Sequence, residues 1–206
     1  MHVSEGVLAF PAIAAGWTGT TAIAVASLRA VEGKDLPKMA VLTAVFFVAS
    51  LIHIPFGPTS VHLTLNGLVG VVIGIGAYPA ILLGLALQAV LFQHGGLTVL
   101  GINGVLMGLP ALAAYGIFRL GDGAAHRNKT ALFGFLAGAA ATALTGLLLA
   151  LLLTTTGKAF LPVAKLALFA HLPLMVVEGL VTAAAVSFLA RVKPEMLPGT
   201  HASREV

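Results

Sequence analysis

Seven apolar stretches, at roughly 8–29, 38–56, 61–78, 79–93, 97–119, 130–155 and 160–190, limit what this chain can become. Each approaches the ~20 residues with which a helix spans a bilayer. Together they nearly exhaust the 206 residues, so the expectation is one all-α transmembrane domain over 1–206 with about seven spanning helices. Charged residues are 9% of the chain, against about a quarter in a soluble domain. Its first partner is therefore the lipid bilayer, and the machinery for any energy-driven step has to lie in other chains. The fourth stretch is short, and its division from the third at Tyr78-Pro79 is the weakest of the set.

The eleven Lys and Arg residues lie between apolar segments rather than in a stripe, so the net charge of +4 reports topology and not nucleic acid. With the amino terminus outside, the inner segments carry Arg29, Lys34, Lys38, Arg119, Arg127, Lys129, Arg191, Lys193 and Arg204, nine of the eleven. Only Lys158 and Lys165 stay outside, as the positive-inside bias requires. In that orientation His53, His62 and His94 come to the outer side together with Met1 and His2, while His126 and His201 face the cytoplasm. Residues 1–7 lack the basic region that precedes a cleaved apolar signal, so the terminus is expected to stay intact. Cysteine is absent, which excludes thiolate ligands and cysteine nucleophiles and leaves nitrogen and oxygen to hold any metal.

Met1 and His2 place three nitrogens in succession: an α-amine, an amide and an imidazole Nδ1. Wrapped around one ion they close a five-membered and a six-membered chelate ring, planar once the amide is deprotonated. Nickel(II) and copper(II) favour planar nitrogen sites. His62 follows a helix-breaking Pro55, Gly57 and Pro58, and Thr59 or Ser60 is placed to cap the third helix, with His62 in its first turn. It is either a further ligand for the same ion or a hydrogen-bonded interfacial histidine.

Other polar residues are few enough to be weighed singly. Glu5 either pairs with the terminal amine or an imidazole, or is a solvated interfacial carboxylate. Gln93, His94, Thr98 and Asn103, with His53 and Ser60, either cap helix ends in an outer loop or line the metal pocket and its path. Ala22, Ala26 and Ala30 on the first helix, and Gly134, Gly138 and Gly146 on the sixth, form small-residue faces that dock a membrane partner or pack internally. His171 and Glu178 share a face of the last helix, and Glu178 is the acidic residue deepest in a span. A structural clamp and a transport role are both open to it.

Met1-His2-Val-Ser-Glu-Gly-Val-Leu, Gly57-Pro-Thr-Ser-Val-His62-Leu and Phe92-Gln-His94-Gly-Gly-Leu-Thr-Val-Leu-Gly-Ile-Asn103 occur in this order. With them the chain closely resembles the substrate-capture subunits of energy-coupling-factor (ECF) transporters for cobalt or nickel, of the CbiM/NikM type, from Met1 to about Glu178. The resemblance implies a seven-helix prokaryotic plasma-membrane protein whose amino terminus inserts into the bundle. It implies a metal held by the Met1 amine, the His2 amide and imidazole, and the imidazole of His62. It also implies a transmembrane coupling protein, a pair of cytoplasmic ATPases and, in many systems, a small auxiliary membrane subunit. Some relatives carry that subunit as a carboxyl-terminal fusion; this sequence stops at Val206, which leaves the need for it open. No cofactor is implied beyond the transported Ni²⁺ or Co²⁺. No G-x-x-x-x-G-K-[ST] occurs, so ATP hydrolysis is not expected here. The alternatives are an intramembrane metal enzyme built on His53, His62 and Glu178, which lacks H-E-x-x-H and G-x-S-x-G, and a passive channel.

Overall fold

The computed structural model describes residues 2–56, 59–121 and 127–198, with the backbone alone at 53–56, 59–61, 127 and 128. The described residues form seven α-helices: α1 (Phe10–Arg29), α2 (Leu36–Ala49), α3 (Asn66–Ile73), α4 (Ala77–Phe92), α5 (Leu100–Leu120), α6 (Arg127–Thr156) and α7 (Leu161–Val192). Prolines open α1, α2 and α7, where a missing N–H costs nothing. Five runs are long and apolar enough to cross a membrane: Phe10–Arg29, Asn66–Phe92, Leu100–Leu120, Lys129–Thr156 and Lys158–Val192. Of the seven stretches expected to span, the second shortens to the 14 residues of α2, and the third and fourth fall within one run.

That run is not one straight helix. Asn66 reaches the Met107 carbonyl, and Gly70 and Gly74 approach Ala111 and Tyr115, so α3 runs alongside α5 in the same direction. Tyr78 then lies against Gly108 and Leu82 against Gly104, so α4 runs the opposite way. The chain reverses at Gly74, whose φ of 60° and ψ of −128° a side chain resists. Gly76 at the reversal approaches Val31 and Met39, placing it at the end of the bundle that carries Lys34 and Lys38.

Before α3 the chain is extended. β1 (His53–Phe56) and β2 (Thr59–His62) pair antiparallel, with His53 opposite His62 and Pro55 opposite Ser60. This corrects the expected capping of the third helix by Thr59 or Ser60: α3 starts at Asn66 after Leu65 in a left-handed conformation, and His62 ends a strand. The change has a cause in α7. The buried Glu178 carboxylate accepts the Thr64 N–H, the Leu65 N–H and the Thr64 hydroxyl, so the backbone that would have opened a longer helix is claimed by a side chain. Asn66 completes the network, donating to Thr145 Oγ1 at 3.0 Å.

α6 and α7 form an antiparallel pair. A Cβ on Gly134 would meet Val186, one on Gly138 would meet Thr182 and Glu178, and one on Gly146 would meet His171. The sixth-helix glycine face is thus internal packing, and its alternative as a docking surface falls away. On α1 the face that buries is Gly16, Thr20, Ala24 and Ser27, held to α5 by close approaches of Gly16 to Ile102 and of Trp17 to Gly101. Ala22, Ala26 and Ala30 are exposed.

Candidate metal centre

The amino-terminal segment reaches the bundle through backbone recognition. Asn103, three residues into α5, grips Val3 on both sides: Oδ1 accepts the Val3 N–H at 3.0 Å and Nδ2 donates to the Val3 carbonyl at 3.1 Å. Two residues on, the Glu5 N–H donates to the Gly95 carbonyl at 3.0 Å. The Glu5 carboxylate accepts from Thr98, N–H at 3.0 Å and hydroxyl at 3.1 Å. Those bonds hold its carboxyl below the usual range, the N–H foremost. Glu5 is therefore an anchor of the segment, tied to Thr98 rather than to an imidazole. The partner loop is shaped for it, since Gly95 and Gly96 have φ of 80° and 122°, and a Cβ on Gly96 would collide with the Glu5 side chain.

Those contacts bring His2 against His62. The two rings stack with centroids 5.0 Å apart and planes at 29°. His62 is buried, with Nδ1 at 3.1 Å from the Leu63 carbonyl, a contact that puts the ring proton on Nδ1 and bares Nε2. Nε2 of His62 and both ring nitrogens of His2 are buried with no hydrogen-bond partner. Burial, more than the added repulsion from His94, holds the His2 imidazole down at about 4, with nearby Gln88 opposing. His62 is also held at about 4, by burial first, against the pull of the Leu63 carbonyl. Both rings are thus neutral near pH 7, the form that binds metal.

Not every expected residue joins them. His94 is exposed, its ring 6.4 Å from that of His2, at the rim of the pocket. Gln93 ends α4 in a left-handed conformation and is exposed, so it caps the helix and does not line the pocket. The backbone of His53 pairs with that of His62, but its side chain and that of Ser60 lie outside the described residues, as do Met1 and His126. Among the described residues no three His, Asp or Glu side chains converge on one point. The oxygens of Glu178 are taken by Thr64 and Leu65, which removes it from the enzyme alternative.

One residue went unread in the sequence. Gln88 on α4 is 0% exposed and neither carboxamide atom has a partner. Its backbone carbonyl accepts the His94 N–H at 3.2 Å, so it sits directly under the pocket rim. Its signal was only a lone carboxamide in an otherwise apolar 16-residue helix.

Fold and pocket together define a helical membrane protein that stacks the imidazoles of His2 and His62 at one end of its bundle, three of their four ring nitrogens without a partner. Residues 2–196 match the family described as the cobalt uptake substrate-specific transmembrane region, CbiM. The chain belongs to that family. It is similar to a putative metal transport protein of Haemophilus influenzae, 36% identical over 98% of both chains. It is also similar to a fused nickel transport protein, NikMN, of Rhodobacter capsulatus, 29% identical over 96% of this chain and 64% of that one. A solved transition metal transporter superposes with a TM-score of 0.75, covering 93% of each chain at 26% identity. These relatives are transport proteins rather than enzymes.

Proposed function

We propose that this chain is the membrane subunit that captures Ni²⁺ or Co²⁺ for an ATP-driven importer of the ECF type. The observation that carries the reading is the stacked contact of His2 with His62, in which both ring nitrogens of His2 and Nε2 of His62 are buried with no hydrogen-bond partner. Buried polar groups are rarely left so without a ligand. With Met1 as the amino terminus, the α-amine, the His2 amide, His2 Nδ1 and His62 Nε2 supply four nitrogens in a plane. That donor set suits nickel, and copper would bind more tightly by the usual order of affinities, so selectivity rests partly on which metal is available.

The pocket lies at the end of the bundle away from Lys34 and Lys38, in keeping with an amino terminus outside and the carboxyl terminus in the cytoplasm. Two cytoplasmic ATPases and a transmembrane coupling protein would supply the energy, with a small auxiliary subunit of the kind that the name NikMN joins to its partner. The exposed Ala22, Ala26 and Ala30 face of α1 is the docking surface assigned to the coupling protein.

Nickel titration of the purified protein in detergent tests the capture step, with the native terminus compared against one extended by a single residue. The extension enlarges the chelate ring, so binding should be lost. If the extended protein holds as much nickel as the native one, the terminal clamp is wrong. Nickel uptake by cells with and without the co-expressed ATPases tests the rest, because a channel or an enzyme would be indifferent to them.

A further inference from the structure

Filling the clamp creates a new demand inside the pocket. Only Nδ1 of His2 closes a six-membered ring with the His2 amide, and a neutral imidazole carries one proton, so a metal on Nδ1 sends that proton to Nε2. Nε2 of His2 is buried with no hydrogen-bond partner. Metal-bound histidines almost always donate this second N–H to a carboxylate, a carbonyl or water, which fixes the ring and raises its basicity.

Most neighbouring acceptors are already committed. Asn103 Oδ1 takes the Val3 N–H, the Glu5 carboxylate takes Thr98, and Gln93 points away at an exposed helix end. Gln88 is the exception: fully buried, next to the His2 ring, and with its Oε1 and Nε2 both unbonded. A carboxamide kept in that state costs stability, because each orphaned polar group has lost its water with nothing in exchange.

Resting on the clamp reading above, we propose that Gln88 is a positioning residue for the ion, its Oε1 accepting the Nε2 proton of His2 when the metal occupies Nδ1. Metal loading then satisfies both sides at once. The bare imidazole gains its acceptor and the bare carboxamide gains a donor.

Gln88→Met and Gln88→Glu separate this role from simple packing. Methionine keeps length and apolar bulk but accepts no useful hydrogen bond; glutamate keeps a stronger acceptor and adds a buried charge. Positioning predicts that Q88M loses about 10- to 100-fold in nickel affinity, the usual cost of losing such a partner, while Q88E stays within about threefold of the unsubstituted protein. Packing predicts the reverse order. The metal-free melting temperature of Q88M should hold level or rise, since an unpaired carboxamide has been replaced by an apolar chain.

A reading on the unsubstituted protein needs no variant to fold. Planar nickel(II) is diamagnetic, so ¹⁵N-histidine spectra of the nickel-loaded protein should show a His2 Nε2 that is protonated and protected from exchange. Q88M within threefold of the unsubstituted affinity, Q88E as weak as Q88M, or a His2 Nε2 proton exchanging freely with water would each overturn the role of Gln88. An unsubstituted protein that binds no nickel would instead overturn the clamp itself.

Discussion

Replacing Asn103 by alanine should detach the metal site without unfolding the bundle. The substitution removes two hydrogen bonds, at 3.0 and 3.1 Å, from the backbone of Val3, a residue only 3% exposed. Each such bond is worth about 1 kcal/mol net, and a buried N–H or C=O left unpaired costs about 1–3 kcal/mol. The change therefore disfavours docking of the amino-terminal segment by about 2–5 kcal/mol, softened by whatever water enters. The remaining anchors, from Glu5 to Gly95 and Thr98, keep the segment nearby but do not orient His2. Apparent affinity falls with the docked fraction, so nickel should bind at least about tenfold more weakly once undocking dominates. Asn103→Asp should do no better, because it keeps an acceptor for the Val3 N–H but sets an oxygen against the Val3 carbonyl. Nickel titration gives the affinity, and aminopeptidase susceptibility of the metal-free protein gives the docking. Binding within threefold of the unsubstituted protein would show that Val3 does not need this grip, and the reasoning would fail.

Acid should destabilise the metal-free protein. Unfolded imidazoles titrate near 6.5 while His2 and His62 are held at about 4, so the unfolded chain takes up protons first. Stability is level above pH 6.5 and falls as pH drops toward 4, by about 3 kcal/mol for each ring; melting temperature against pH, compared with the His2→Ala, His62→Ala double variant, checks it. Gly96→Ala combines a φ of 122° with a collision at Glu5 and should weaken nickel binding at least tenfold by titration. Ala26→Leu adds bulk to an exposed helix face, so metal binding should persist while ATPase-dependent uptake is lost. Loss of binding in that variant would assign the face to the fold instead.

Much of the site was legible because its residues are rare. In a chain so apolar, His2, His62, His94, Glu5 and Asn103 stand out one by one, and charge bias sets the histidines at one end. What escaped was non-local. The strand at His62 depends on pairing with His53, nine positions away, and on a carboxylate 114 positions beyond Thr64, neither of which leaves a local period. Pro55, Gly57 and Pro58 announce a break equally well before a helix or between strands. The glycines of α6 have the same spacing whether their neighbour is α7 or a foreign helix, so spacing alone could not choose. Gln88 escaped for the opposite reason, as a single polar residue with no motif around it, which only burial singles out.

The reversal at Gly74 leaves α3 only eight residues long, about 12 Å of helix, beginning level with Met107, some two turns into α5. Backbone that is not helical survives at such depth only when protein surrounds it, and Thr64 and Leu65, just ahead of α3, are both buried. In electrical terms α3 is insulation: Leu68, Val69, Val71 and Val72 are buried apolar side chains on the short helix that follows His62. The start of that helix is tied through Thr64 and Leu65 to Glu178 on α7. On the proposed capture role, a tilt of α7 would pull through Glu178 on the backbone just after His62.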